Sequence, residues 1–178
     1  MTADEQNTRF SAWITAHAAV LHHVANGFAA GADRADLFQE LLLAVWRAVP
    51  RFSGGSQVST YVYRVAHNTA LTWSRTQRNY RHRVERFEAQ AATAPGTPTV
   101  APAVAAVDRT PEALTHIYAA IRALPPLDRS LVLLHLDGAS YAEISLIHGL
   151  TETNVGARLT RLKKKLTAAL APITHELR

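Results

Sequence analysis

Residues 89–110 (AQAATAPGTPTVAPAVAAVDRT) hold no Leu, Ile or aromatic side chain and almost no charge. Such a run lacks the large apolar groups that offset ordering entropy, and its prolines bar a continuous helix. It reads as an extended, mobile linker. The chain therefore divides into a block at 1–88, the linker at 89–110 and a second block at 111–178. Each block must build its fold from apolar residues at helical spacing.

In the first block, Trp13, Leu21 and Val24 suggest an opening amphipathic helix, interrupted by Gly27 and Gly31. Asp33 is placed to cap the next helix, where Leu37, Leu41, Ala44 and Val45 form a core-facing stripe that ends near Pro50. Phe52–Ser59 reads as a loop because of its paired glycines and serines. A further helix, capped by Ser59 or Thr60, carries Tyr61, Val65, Ala66, Ala70 and Trp73. It runs into Arg75, Arg78, Arg81, Arg83 and Arg86.

The second block opens with a cap-then-proline signal at Thr110-Pro111-Glu112. Pro125-Pro126 breaks that helix, Asp128 starts the next, and Gly138 ends it. A short helix at Tyr141–His148, a turn at Gly149 and a longer helix from about Glu152 to Leu170 are the parts of a helix-turn-helix. Nothing reads as paired strands. The expected fold is all-α: two small helical domains joined by a flexible linker, the second containing a helix-turn-helix.

Along the last helix, Val155, Leu159, Leu162 and Leu166 share one face, and Asn154, Arg158, Arg161 and Lys165 share another. Asn and Arg side chains can read base edges in a major groove, and lysines neutralise phosphate. The small residues Gly156 and Ala157 would permit close approach. A solvated charged face is the plainer reading of such a stripe, but the short helix and glycine turn before it favour DNA. The arginines after Trp73 suit backbone phosphates, with aromatic groups at the other end for stacking on bases; core packing is the better reading of Trp73 itself. On the acidic helix, Asp33, Asp36 and Glu40 share a face with Gln39 beside it. Solvent exposure and protein docking are both open there.

Several classes are excluded or disfavoured. The chain has no cysteine, so disulfides and thiolate zinc sites within it are ruled out. Its nine histidines lack metal-ligand spacing. There is no phosphate-binding Gly-rich loop, His-Glu-x-x-His or Gly-x-Ser-x-Gly, so neither an enzyme nor a cofactor is expected. No apolar run is long enough to span a membrane, and the polar start MTADEQNTRF is unlike a signal peptide, which points to the cytoplasm. The net charge of +5 is compatible with a polyanionic partner.

Taken in order, these segments resemble the extracytoplasmic-function (ECF) sigma factors. The stretch DRADLFQELLLAVWRAVPRF from Asp33 is similar to that family's polymerase-binding helix. The Phe52–Ser59 loop followed by TYVYRVAHNTA is similar to its −10 reader. LPPLDRSLVLLHLDGASYAEI from Leu124 resembles the lead-in to its helix-turn-helix, and TETNVGARLTRLKKKL from Thr151 its −35 recognition helix. Four residues depart from the usual pattern. Tyr61 stands where Trp is common, Gly156 where a basic residue is usual, and His67 and Thr72 replace more typical residues.

The resemblance implies a sigma factor whose partners are core RNA polymerase, promoter DNA and an anti-sigma factor. Polymerase docking would fall to Asp33, Asp36, Leu37, Gln39 and Glu40. The unpaired −10 strand would be held by Ser53, Gly54, Gly55, Ser56, Tyr61, Arg64, Asn68, Arg75 and Arg78. The −35 duplex would be read by Thr153, Asn154, Arg158 and Arg161, with Lys163, Lys164 and Lys165 adding sequence-blind affinity. The competing expectation is a helix-turn-helix regulator that binds operators without polymerase.

Overall fold

The computed structural model describes residues 2–91 and 112–176, and all of its regular structure is helical. Helix α1 (Ala3–Phe28) starts at a capping box: Thr2 accepts from the Glu5 amide, and the Glu5 carboxylate accepts from the Thr2 amide. Its buried face carries Trp13, Val20, Leu21, Val24 and Phe28. Gly27 does not interrupt this helix as expected. It lies inside the last turn, where the missing side chain makes room for a neighbour from the second block.

Helix α2 (Ala32–Ala48) buries Leu37, Leu41, Val45 and Ala48, so its inward stripe advances by four, four and three. The expected cap, Asp33, is instead in the first turn, where a carboxylate suits the positive end of the helix. The cap position belongs to Gly31, whose φ of 57° is costly for a residue with a side chain. A 3₁₀ turn at Val49–Arg51 follows, then an exposed loop.

Helix α3 (Val58–Ala91) begins before either expected cap. The Gln57 carbonyl already accepts from the Tyr61 amide at 3.1 Å, so Ser59 and Thr60 are both helical. At its other end α3 runs three residues past the boundary expected at 88. The rest of the expected linker, with Thr110 and Pro111, lies outside the described residues. An aromatic cluster ties these elements together. Trp13, Phe52 and Tyr61 meet at centroid distances of 5.0–6.0 Å, and the Tyr61 hydroxyl donates to the Ala48 carbonyl at 3.2 Å.

The second block comprises α4 (Glu112–Arg122), α5 (Pro126–Leu136), α6 (Tyr141–His148) and α7 (Glu152–Glu176). Helix α5 starts two residues before the expected Asp128, because a proline at the first helical position forfeits only an amide that has no helical partner. Arg129 closes the end of α4 by donating to the carbonyls of Arg122 and Leu124, at 2.6 and 2.9 Å. Buried Leu131, Leu134, Ile144, Val155 and Leu159 join Leu21, Leu37 and Leu41 in a single apolar cluster spanning both blocks. Among the described residues no helix is long and apolar enough to cross a membrane.

Candidate nucleic-acid interface

The helix-turn-helix is assembled by local devices. Helix α5 ends at Leu136, and Gly138 just beyond it turns the chain with φ at +84°. Ser140 and Glu143 form a second capping box that starts α6, and the bonds from Ser140 hold the Glu143 carboxyl below its ordinary range. Gly149 then turns the chain in the left-handed conformation, with φ at 66°. Thr151 Oγ1 accepts from the Asn154 amide at 3.3 Å, which sets the start of α7.

On α7, Val155, Leu159 and Leu162 are buried, with Leu166 packed against them. Thr153, Asn154, Arg161, Lys163, Lys164 and Lys165 are exposed. Arg158 departs from the expected free stripe. Its Nε donates to Asn154 Oδ1 at 3.2 Å, and its Nη1 donates to Asp128 Oδ1 on α5 at 3.0 Å. The guanidinium is thus braced, while the Asn154 amide nitrogen keeps its donors for a base edge. Arg158, Arg161 and Asp128 line a recess of about 260 Å³. The space over Gly156, expected to admit close approach, is filled by Tyr141: a Cβ at 156 would stand 3.3 Å from that ring.

In the first block, Arg64, Asn68, Arg75 and Arg78 are all exposed along α3. Arg64 lies 5.7 Å from the Tyr61 ring centroid, a cation–π distance, and Tyr61 itself is half-buried in the aromatic cluster. Ser53, Gly54, Gly55 and Ser56 form an exposed rim, with Gly54 at φ +81°. The arginine-rich end of α3 meets the start of α2: Arg81 pairs with Asp33 at 3.3 Å.

Asp36, Gln39 and Glu40 are exposed, whereas Leu37 is fully buried in the core and supports the face from beneath. Asn68 and Thr72 share a groove of about 700 Å³ with Asp36, Gln39, Glu40 and Leu43. The groove therefore brings together residues that the sequence assigns to separate tasks. Sequence reasoning also missed two large apolar side chains of α2, Leu43 in this groove and Trp46 further along the helix, exposed by 45% and 41%. Their signal was present: both fall off the 37–41–45 stripe, so a helix packed on that stripe must leave them outside. Trp46 is held in place by its indole N–H donating to Asn7 Oδ1 at 3.2 Å.

Comparison with known proteins follows this division. Residues 13–80 match the family description "Sigma-70 region 2", and residues 115–166 match "Sigma-70, region 4". The ECF RNA polymerase sigma-E factor of Escherichia coli (strain K12) is 27% identical over 144 residues, covering 79% of this chain and 75% of that protein. The sigma-E factor of Salmonella typhimurium (strain LT2) shows the same identity and coverage. Among solved structures, the sigma factor RpoE in complex with the anti-sigma factor NepR, from Bartonella quintana, shares the fold at a TM-score of 0.60 and 18% identity. That likeness covers 92% of this chain and 97% of RpoE. CnrH, solved with the cytosolic domain of CnrY, gives a TM-score of 0.61 at 19% identity, covering 93% of this chain and 90% of CnrH.

Proposed function

The chain belongs to the ECF sigma factors, which direct RNA polymerase in transcription initiation, and from that premise we propose how its own residues divide the work. Helices α1–α3 dock on core polymerase and hold the opened −10 strand. Helices α4–α7 read the −35 duplex. The observation that carries this division is the built reading head on α7: an arginine braced by Asp128, an asparagine beside it, and three exposed lysines further along the same helix.

Docking falls to the exposed Asp36, Gln39 and Glu40, with Leu43 and Trp46 supplying apolar area beside the charges. Interfaces gain specificity from charge and affinity from aromatic anchors, and this face offers both. Asp33, already paired with Arg81, orients the start of α2. Arg64, Arg75 and Arg78 offer cations to the −10 backbone, while the loop Ser53–Ser56 leaves room for an unstacked base. In α7, Asn154 and Arg158 discriminate base edges, Thr153 and Arg161 flank them, and Lys163–Lys165 add salt-dependent attraction.

The chain itself performs no catalytic step in this reading, uses no cofactor and works in the cytoplasm alongside polymerase. An anti-sigma factor is assigned as a further partner, supported by the complexes in which RpoE and CnrH were solved. The test is transcription by bacterial core polymerase, with and without the protein, on a genomic fragment library. Discrete new start sites sharing paired upstream elements are expected. Folded protein that yields none, yet binds one duplex tightly alone, would instead be a polymerase-independent regulator.

A further inference from the structure

Four arginines converge on a cleft of about 580 Å³, a volume within the roughly 300–1,000 Å³ of small-molecule sites. Arg78 and Arg81 reach it from α3, Arg122 from α4 and Arg129 from α5. Only Arg78 is also assigned to the −10 strand. Against these four guanidiniums the lining holds two carboxylates, Asp33 and Glu85. Both are already engaged, Asp33 with Arg81 at 3.3 Å and Glu85 with His82 at 3.4 Å.

Like charges gathered in one space repel unless an anion lies among them, and here the protein supplies little. Arg129 donates to backbone oxygens alone, the carbonyls of Arg122 and Leu124, and its guanidinium lies 5.0 Å from the Phe28 ring centroid. Its Nε is buried without a partner. Burial, and then the charge of Arg122, push this guanidinium below its ordinary value. Among the described residues Arg78 makes no hydrogen bond or ion pair. Closing the end of α4 accounts for Arg129. It does not account for Arg78 and Arg81 being gathered on the same space.

Guanidinium forks grip carboxylate and phosphate oxygens in pairs. A phosphate group exposes three acceptor oxygens, so two forks already crowd it, and four guanidiniums need a longer anion. We propose that the cleft binds a small oligophosphate, an anion of linked phosphates that is either carried by a nucleotide or free. The exposed Arg78 and Arg81 stand at its mouth, and the half-buried Arg122 and Arg129 stand behind them. Trp73 and Pro126 line the same space and give a nucleotide's base an apolar wall. On binding, Arg81 exchanges the Asp33 carboxylate for a phosphate oxygen, so Asp33 competes with the ligand.

Titration calorimetry on the full chain tests this with sodium tripolyphosphate, ATP and adenosine, at ~0.15 M salt, where exposed charges beyond ~8 Å are screened. Tripolyphosphate and ATP should each bind one per chain, and adenosine should not bind. Equal affinities mark the bare phosphate chain as the ligand; ATP tighter by about tenfold or more marks a nucleotide. Arg81→Glu, at an exposed position, should weaken both by about tenfold or more. Asp33→Asn removes the competing carboxylate and should tighten both by about threefold or more, a gain that a damaged fold would not give. Lys163→Gln, Lys164→Gln and Lys165→Gln together should leave both affinities unchanged. No binding of either phosphate compound at millimolar concentration would overturn the proposal, as would affinities unmoved by both cleft variants. Loss of binding in the lysine variant would also overturn it, by putting the anion on α7.

Discussion

Arg158 donates in two directions, to Asn154 on its own helix and to Asp128 across the turn, so it is presented to DNA already oriented. Preorganised donors discriminate better than mobile ones, because less freedom is lost on contact. Arg158→Ala is expected to cost about 1–3 kcal/mol at one −35 position and to leave polymerase docking unchanged. Competition between duplexes differing at single −35 bases measures the first, and holoenzyme assembly the second; impaired assembly would refute the separation of tasks. The spacing of Asn154, Arg158 and Arg161 made this helix legible in sequence. The brace was not, because Asp128 is thirty residues away and its side-chain direction depends on how α5 crosses α7. Leu37 carries both readings: the resemblance assigns it to docking, and the helical stripe that the sequence shows buries it in the core.

At the scale of the element, the helices themselves were readable because apolar periodicity fixes which face turns inward. Their starts were less so. Gly31 precedes α2 through its positive φ rather than through a side-chain bond, and Gln57 begins the α3 ladder with a backbone carbonyl. Where a side chain does make the cap, its worth can be tested. Ser140→Ala removes one half of the α6 capping box and should lower stability by about 1 kcal/mol, read as a shift in the urea midpoint. The exposed face of α2 gives a second test. Asp36→Arg should abolish holoenzyme formation while leaving −35 duplex binding by the full chain at its wild-type level; docking that survives the reversal would put polymerase on another face.

For the whole molecule, apolar residues could be assigned to a core from sequence, but not to a core shared between blocks. Periodicity tells a residue to be buried without saying against what. His67 looked like a departure from a motif; in the structure it is fully buried where α3 meets α5, its Nδ1 2.5 Å from Ser130 Oγ. Burial, and then the neighbouring His148, depress its pKa from 6.5 to about 3, and burial lowers that of His148 as well. Both imidazoles therefore bind protons more readily once unfolded, and stability should fall as pH drops below about 6.5. Each contributes up to about 1.4 kcal/mol per pH unit in that window. Asp137, whose carboxyl is pushed up by burial against the opposing pull of His23, acts in the other direction just above its ordinary value of 3.8. Tyr63 and Tyr118 are raised and matter only at alkaline pH. Burial also lowers His17, and burial and then Lys163 lower His135, so all four imidazoles should draw urea midpoints down between pH 6.5 and 5.5 in the wild type. His67→Gln should make that decline shallower by removing one of the four contributions; an unchanged slope would show that the histidine is not held neutral by burial.

The ring of Tyr141 over Gly156 bears on how a reading head of this type could be rewritten. A transplanted recognition helix carrying lysine at 156 would arrive with its Cβ against that ring and its stem displaced. Residues 141 and 156 should therefore be exchanged as a pair, a smaller side chain at one making room for a longer one at the other. In a lineage diverging toward new promoters, the bulk at 141 would then limit which substitutions at 156 were open.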